Sequence, residues 1–129
     1  MGIVENSSMV VKQFDEARMD SMMEVTLDSA VLLPEPPPEA MRLEAVLSAL
    51  GDPVRLQIVR QLHEAGTPKA CGTFGLPVGK STASHHFKVL REAGVLRQRV
   101  EGRERHSELR GADLEKRFPG LLDSVLGAS

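Results

Sequence analysis

The spacing of apolar residues changes abruptly at Gly94. Between residues 80 and 94 these residues recur at intervals of three and four, which predicts a helix with one narrow apolar stripe. The stripe consists of Ala83, Phe87, Leu90 and Gly94. From residue 96 to residue 100 the spacing shortens to alternation, and a second extended run ends at Leu109. Gly102, between the two runs, supplies the positive φ of a tight turn. The sequence therefore predicts a long helix that runs directly into a two-stranded β-hairpin.

The opposite side of this helix carries hydrogen-bond donors and no acidic cluster. Its polar residues are Ser81, Ser84, His85, Lys88 and Arg91. Small hydroxyls at a helix start, followed by a histidine and two cations, suit the edge of the DNA major groove, where base edges and phosphates lie together. For an isolated segment, a solvated helix face is the simpler explanation. The neighbouring segments decide between the two.

The distribution of charge favours a polyanionic partner, although the chain of 129 residues has a net charge of −2. Residues 1–40 hold eight acidic and two basic side chains, a net charge of −6. Residues 80–110 hold eight basic and four acidic side chains, a net charge of +4. Binding to nucleic acid depends on the local potential within about 10 Å at ordinary salt, so the basic segment matters more than the total.

A run of prolines divides the chain. Residues 34–38 read PEPPP, which holds an extended backbone and cannot continue a helix. We therefore expect an acidic N-terminal extension at residues 1–35 and one domain at residues 36–129. The extension contains hints of a helix at Val10, Phe14 and Ala17, and of extended chain from Val25 to Leu33; packing against the domain or a partner and disorder both stay open for it.

Three helices are predicted before the long one. The first begins in the turn at Pro38 and ends near Leu50. In the second, Asp52 caps the N-terminus, Pro53 takes the first helical position and Gly66 ends the helix. The third is short, at residues 69–74, because glycine and proline surround it. A short helix, a tight turn and a longer helix that presents polar donors form a helix-turn-helix.

The hairpin and the C-terminal segment complete the pattern. The hairpin carries Arg97, Arg99, Arg103 and Arg105, which either contact phosphates or only keep an exposed ribbon soluble. From Gly111 the spacing is helical again, with a break expected at Pro119. The large apolar residues of this last helix exceed what the small domain covers, which predicts a helix-to-helix contact between two copies of the chain.

Length and composition agree with one cytoplasmic domain. No run of 18 apolar residues and no basic-then-apolar leader is present, so we expect no membrane association. The single cysteine, Cys71, excludes an internal disulfide and a metal site built from cysteines of one subunit.

Three segments together resemble the ArsR/SmtB family of winged-helix repressors. They are ALGDPVRLQIVRQL, STASHHFKVLREAGVL and RQRVEGRERHSELR. The resemblance covers about residues 42–126 and implies a mainly α winged helix-turn-helix with a small β-hairpin, in the order α-α-α-α-β-β-α. It also implies a homodimer, joined by the first and last helices, that binds a palindromic operator in double-stranded DNA and leaves it when an effector binds.

The expected sites follow. The residues expected to contact DNA are Lys80, Ser81, Thr82, Ser84, His85, Lys88, Arg91, Arg97, Arg99, Arg103 and Arg105. The residues expected at the dimer interface are Leu43, Leu47, Leu121, Leu122 and Val125. We expect no catalytic residue and no cofactor.

The effector is where the sequence departs from the family. Members that sense metals often carry a Cys-x-Cys pair in the third helix or histidines along the last one, and this chain has neither. We therefore expect no metal site, although Cys71 with His63, or an intersubunit arrangement, stays an alternative. Cys71 is either a small buried hydrophobe or a redox-sensitive thiol, since Lys69 and a helix start nearby would favour the thiolate.

Two other functions stay open. A Cys71–His63 dyad would point to an enzyme, but no third catalytic group or oxyanion loop is suggested by the sequence. A winged helix that binds proteins and selects no DNA sequence is the other alternative, and the acidic extension supports it.

Overall fold

The structure, a computed structural model, describes residues 30–128; the chain divides into a first unit, residues 1–31, and a second unit, residues 32–129. Strand β1 (Ala30–Leu32) spans the division. The helix expected around Val10, Phe14 and Ala17, and the extended run at Val25 and Leu27, lie outside the described residues. The domain boundary near residue 36 stays a prediction. All that follows concerns the second unit.

The first predicted helix is two elements. A 3-10 turn at Pro38–Ala40 is followed by extended backbone at Met41 and Arg42, and α1 begins only at Leu43 and ends at Leu50. The prediction of one continuous helix from Pro38 was wrong. Arg117 Nη2 donates to the carbonyl of Met41 at 2.9 Å, and the Met41 side chain is fully buried, so tertiary contacts fix the interruption.

Helix α2 (Pro53–Ala65) begins and ends where the sequence predicts. The Asp52 carboxylate accepts hydrogen bonds from the backbone N–H groups of Val54 at 2.9 Å and Arg55 at 3.1 Å. These bonds satisfy two of the donors that a helix start leaves free. Gly66, in the left-handed region at φ 68°, ends the helix.

The short third helix expected at residues 69–74 is absent. Strand β2 (Lys69–Ala70) and a 3-10 turn (Cys71–Thr73) take its place. The two-residue strand pairs with a later strand, Lys69 beside Ser107 and Ala70 beside His106. Sheet pairing therefore decides the backbone conformation there, and the local sequence does not.

Helix α3 (Lys80–Ala93) and the hairpin agree with the sequence. Gly94 ends α3 at φ 94°, β3 (Leu96–Glu101) and β4 (Glu104–Leu109) pair antiparallel, and Gly102 turns between them at φ 63°. The register runs from Leu96 beside Leu109 to Glu101 beside Glu104. Within the second unit the strand order is β3-β4-β2. We call β3, β4 and their turn the wing.

The C-terminal segment forms α4 (Gly111–Arg117) and α5 (Leu121–Ala128). The break falls around Pro119, as predicted. Within residues 30–128 no helix is long and apolar enough to cross a membrane. The element order confirms a winged helix-turn-helix.

One aliphatic core joins α1, α2, α3, β3 and the C-terminal helices. Its fully buried large side chains include Met41, Ile58, Leu90, Leu96 and Leu114. Gly94 lies close against Met41 in this core: a Cβ atom on Gly94 would lie 2.7 Å from Met41 Cγ. Glycine is therefore required at this position for space as well as for its positive φ.

Four arginines hold the segment before α1 against the rest of the domain. We call this segment, Pro34–Met41, the proline strap. Its carbonyl groups accept hydrogen bonds from Arg91 (to Pro34, 3.1 Å), Arg110 (to Pro36, 2.8 Å) and Arg117 (to Pro38, 3.1 Å, and Met41, 2.9 Å), and the Glu35 carboxylate accepts from Arg97. Proline has no N–H, so the strap offers mainly oxygen acceptors, which guanidinium groups satisfy.

Candidate nucleic-acid interface

Helix α3 has two faces, as its residue spacing predicts. Phe87 and Leu90 are buried and Ala83 is half-buried on the side that packs on the core. The exposed side carries the hydroxyl groups and cations expected to contact DNA. Its exposed residues are Lys80, Ser81, Thr82, Ser84, His85 and Lys88.

His86 fixes α3 against α2. Arg55 Nη1 lies 3.1 Å from His86 Nδ1, and Asp52 Oδ2 lies 3.8 Å from the same ring nitrogen. Arg55 Nε also donates to the carbonyl of Ala49 at 2.7 Å. His85 is exposed, whereas His86 is half-buried.

The tip of the wing exposes Arg103 and Arg105. His106, on the same strand, lies 3.3 Å from Glu104 and 3.9 Å from Glu101. Arg99, half-exposed on β3, lies 4.0 Å from Glu108. The two arginines nearest the turn are thus the more available ones.

The cations expected to contact phosphates fall into two groups. Lys80, Lys88, Arg103 and Arg105 are exposed and have no ion-pair or hydrogen-bond partner within the described residues. Arg91 and Arg97 differ, because both hold the proline strap. Arg97 binds Glu35 through two nitrogens, and this hydrogen-bonded carboxylate raises the pKa of the Arg97 guanidinium. In this conformation both guanidinium groups are engaged at the strap, and their contact with DNA stays a prediction.

Arg91 also begins a polar chain through the interior. Its Nη1 donates to Gln98 Oε1 at 2.8 Å, and Gln98 Nε2 donates to Ser107 Oγ at 3.2 Å and to Cys71 Sγ at 3.4 Å. Gln98 and Ser107 are fully buried. Sequence reasoning missed both residues. Side chains alternate between the two faces of a strand, and counting along β3 and β4 from their buried apolar residues could have placed Gln98 and Ser107 on the inner face.

A cavity of about 710 Å³ lies between α3 and the wing tip. It is lined by Ala70–Thr73, by α3 residues that include Ala83, Ser84 and Phe87, and by Arg103–Arg105. Cys71 also lines it. Helix α3 and the wing therefore border one concave surface.

The surroundings of Cys71 differ from the expectation. The ammonium group of Lys69 lies over the Phe74 ring, 4.9 Å from its centre, and the thiol is at a 3-10 turn of three residues instead of a helix. Cys71 Sγ lies 3.3 Å from Ser107 Oγ and is half-buried. The two expected neighbours of the thiol were the Lys69 ammonium group and the start of an α-helix. The first lies over the Phe74 ring and a 3-10 turn replaces the second.

The structure brings together no group of three or more histidine, cysteine or acidic side chains that could hold a metal ion, as far as residues 30–128 are concerned. His63 and Cys71 line different cavities. The alternative pairing of these two residues in one site gains no support from this arrangement.

The predicted dimer residues occupy different environments. Leu43 and Leu47 of α1 are 45% and 46% exposed, which is high for leucine. Leu121 and Val125 are half-buried against the core. Leu122 is only 8% exposed and belongs to the core of its own chain. The assignment of these five residues to a dimer interface stays a prediction.

Comparisons with known proteins agree with this arrangement. The family described as "Helix-turn-helix domain" matches residues 50–99, which include α2, β2 and α3. The chain is 38% identical over 82 residues to an uncharacterized HTH-type transcriptional regulator, YceK, of Bacillus subtilis (strain 168), covering 62% of this chain and 82% of that protein. It is also 38% identical over 58 residues to MJ1325, an uncharacterized HTH-type transcriptional regulator of Methanocaldococcus jannaschii, covering 44% of this chain and 65% of that protein.

Among solved structures, the chain is similar to the transcriptional repressor BigR from Xylella fastidiosa. The TM-score is 0.48 and the sequence identity is 22%. The similarity covers 78% of this chain and 96% of that one.

Proposed function

The chain belongs to the ArsR-type family of helix-turn-helix transcriptional regulators, and on this basis we propose that it is a homodimeric repressor that binds a palindromic operator and leaves it when an effector binds. As a DNA-binding regulator it acts in the cytoplasm, and its role is binding, without catalysis.

The position of the unpaired cations carries this proposal. Lys80 and Lys88 lie on the exposed face of α3, and Arg103 and Arg105 lie at the wing tip, while the arginines at the strap are held by carbonyl and carboxylate oxygens. A cation without a protein partner can neutralise a phosphate without first breaking an ion pair. Neutralised phosphates supply most of the affinity of such proteins for DNA.

We assign the contacts by residue chemistry. Ser81, Ser84 and His85 read base edges in the major groove, since hydroxyl and imidazole groups both donate and accept hydrogen bonds. Lys80, Thr82, Lys88, Arg103 and Arg105 meet phosphates or the minor groove, and Arg99 joins them when it leaves Glu108. Arg91 and Arg97 are left out of this set because the strap holds them.

The exposed leucines of α1 support a dimer. Leu43 and Leu47 would leave water in a helix-to-helix contact, together with the half-buried Leu121 and Val125. A two-fold dimer requires an operator of matching symmetry, with half-site centres about 10 bp apart or a small multiple of that distance.

A selection from random DNA duplexes tests the function. The full chain is mixed with a random duplex pool, and bound DNA is recovered by gel shift and sequenced over several rounds. We expect one enriched imperfect palindrome. Recovery of no preferred sequence would refute the repressor and would favour a winged helix that binds proteins.

A matched pair of variants tests the assigned surface. Lys88→Ala on α3 should weaken binding to the selected palindrome. Lys116→Ala should leave binding unchanged, because Lys116 is an equally exposed lysine on α4, away from the assigned residues. Equal effects of both substitutions would show that the assigned face is wrong.

A further inference from the structure

The cavity between α3 and the wing tip has the size of a small-molecule site. Its volume of about 710 Å³ falls within the range of roughly 300–1,000 Å³ in which such ligands bind. Three separate parts of the chain border it: the turn after β2, the first half of α3 and the wing tip.

The lining of this cavity is apolar inside and cationic at its rim. Phe87 is buried, with its ring packed edge-on to Phe74 at 5.2 Å, and Ala70 and Ala83 are half-buried beside it. The charged lining residues are Lys80, Arg103, Arg105 and Glu104. The three cations have no partner in the described part of the chain, whereas Glu104 lies 3.3 Å from His106.

Binding of DNA would explain the cations of this lining but not its apolar side chains. A phosphate would neutralise the cations at the rim, but a phosphate is fully polar and gains nothing from Phe87, Ala70 and Ala83. A ligand that satisfies both parts has a flat apolar body and one negative charge at its edge. Aromatic rings pack favourably on phenylalanine, and guanidinium groups bind carboxylates through two parallel hydrogen bonds.

We propose that this cavity is the effector site, and that its ligand is a small aromatic carboxylate. The ring lies against Phe87 and Ala83, and the carboxylate binds Arg103, Arg105 or Lys80. The Ser84 hydroxyl, which lines the same cavity, provides a further donor.

This inference rests on the proposed function in one respect: release of an operator requires that the chain binds one. Four residues line the cavity and also belong to the assigned DNA contacts: Lys80, Ser84, Arg103 and Arg105. Ligand and DNA would therefore compete for the same side chains, and release would need no change at the dimer interface.

Direct binding is measured on the full chain without DNA. The probe is 2-naphthoate, and the matched control compound is neutral 2-naphthamide, which keeps the ring and loses the charge. We expect 2-naphthoate to bind in calorimetry at least about tenfold more tightly than the amide, since hydrogen bonds to charged groups are the stronger ones. Equal affinity of the two compounds would overturn the proposal.

Cys71 supplies a second readout in the native protein. It is the only cysteine of the chain and it lines the cavity, so its alkylation by iodoacetamide can be followed by mass spectrometry. Saturating 2-naphthoate should slow this alkylation, and the amide at the same concentration should not. An unchanged rate with bound 2-naphthoate would place the ligand elsewhere and overturn the proposal.

Two variants test the cavity, and the first of them lies outside the assigned DNA contacts. Ala83→Leu fills the interior from a helix position outside the assigned contacts, so it should abolish 2-naphthoate binding and keep operator binding. Arg105→Gln, at the exposed wing tip, should weaken the probe about tenfold. Unchanged probe affinity in both variants would refute the site.

Operator release completes the test. 2-Naphthoate should release the selected palindrome from the native chain and fail to release it from Ala83→Leu. If the chain selects no DNA, the repressor is refuted while calorimetry and alkylation still decide whether the ligand site exists. If 2-naphthoate binds in the cavity and the operator stays bound, the effector role is refuted.

Discussion

Arg97 and Glu35 form a two-point ion pair between the wing and the proline strap. Nε donates to Oε1 and Nη2 donates to Oε2, both at 3.0 Å, and the Glu35 side chain is only 15% exposed. Arg110, whose side chain is almost fully buried, lies 3.8 Å from the same carboxylate. The pair therefore belongs to the structure of the domain, although Arg97 stands in an arginine-rich hairpin next to α3.

Glu35→Gln should lower the free energy of unfolding by about 1–3 kcal/mol, because the half-buried Arg97 guanidinium loses its charged acceptor and the buried Arg110 loses one of its two nearby carboxylates. Urea unfolding of the full chain measures this change. Glu39→Gln, at an exposed position of the same strap, should change stability by less than about 0.5 kcal/mol. Equal stability of the two variants would mean that the ion pair contributes nothing.

Arg103→Ala should weaken binding to the operator and to random DNA alike. It should also lower the slope of log affinity against log salt by about one, since one phosphate contact is lost. Arg97→Ala is the matched control on the same hairpin: it should lower stability and keep the salt slope. A reduced slope in Arg97→Ala would show that Arg97 leaves the strap to bind DNA.

His85→Ala should change specificity more than affinity. Loss of a base-edge contact lowers the discrimination between operator and random DNA by about 1–3 kcal/mol. Competition gel shifts measure the ratio of the two affinities. If this ratio stays at the native value, His85 does not face the bases.

Leu47→Glu should dissociate the dimer while each chain stays folded. Leu47 is exposed in the single chain, so only a dimer would bury the new carboxylate, at a cost of several kcal/mol. Sedimentation of the variant, with circular dichroism as the check on folding, measures both properties. An intact dimer would remove α1 from the interface.

Leu122→Glu serves as the contrasting variant. Leu122 packs in the core of its own chain, so the carboxylate should unfold the domain and not merely separate two copies. A folded monomer in this variant would instead return Leu122 to the dimer interface.

Asp52 should make the domain sensitive to acid. The hydrogen bond from the Arg55 backbone N–H lowers the pKa of this carboxyl from its usual value of 3.8; burial opposes this shift, while the Val54 N–H and the His86 and Arg55 charges add to it. A lowered folded pKa means that the stabilisation is complete above about pH 4 and is lost as the pH falls through the folded value.

Asp52→Asn isolates this effect, because asparagine caps helices about as well without titrating. Its stability should equal that of the native chain within about 0.5 kcal/mol at pH 7 and should fall less steeply below about pH 4. Glu64→Gln, on the exposed end of α2, should follow the native pH profile. Parallel profiles for the native chain and Asp52→Asn would contradict the assignment.

The local signals in the sequence were reliable. Each of these signals determines the backbone conformation of only a few neighbouring residues. They are the helix cap at Asp52, the helix ends at Gly66 and Gly94, and the turn at Gly102, and each is found where the sequence predicts it. The two faces of α3 follow from residue spacing alone. Helix α3 and the wing could therefore be located from local sequence patterns, without information on contacts between distant residues.

The remaining features depend on partners far along the chain. Strand β2 exists because Lys69 and Ala70 pair with a strand that begins 35 residues after Lys69. Arg97 and Arg103 are the same residue type on the same hairpin, and only the fold shows that one meets Glu35 while the other meets solvent. Leu47 and Leu122 are both leucines on apolar helix faces, and the sequence alone could not show that Leu122 is buried while Leu47 is exposed.

The contacts of the proline strap can form only in the order in which their arginines are synthesised. Its contacts with Arg91, Arg97, Arg110 and Arg117 join residues that are 57, 62, 74 and 79 positions apart. A ribosome adds about 5–20 residues per second, so the strap leaves it roughly 4–16 s before its last arginine does. A nascent chain that has emerged only as far as the wing can make the first two contacts and not the others. The strap is then among the first parts of the domain to be made and among the last to be secured, because its carbonyl groups stay bonded to water until Arg117 emerges.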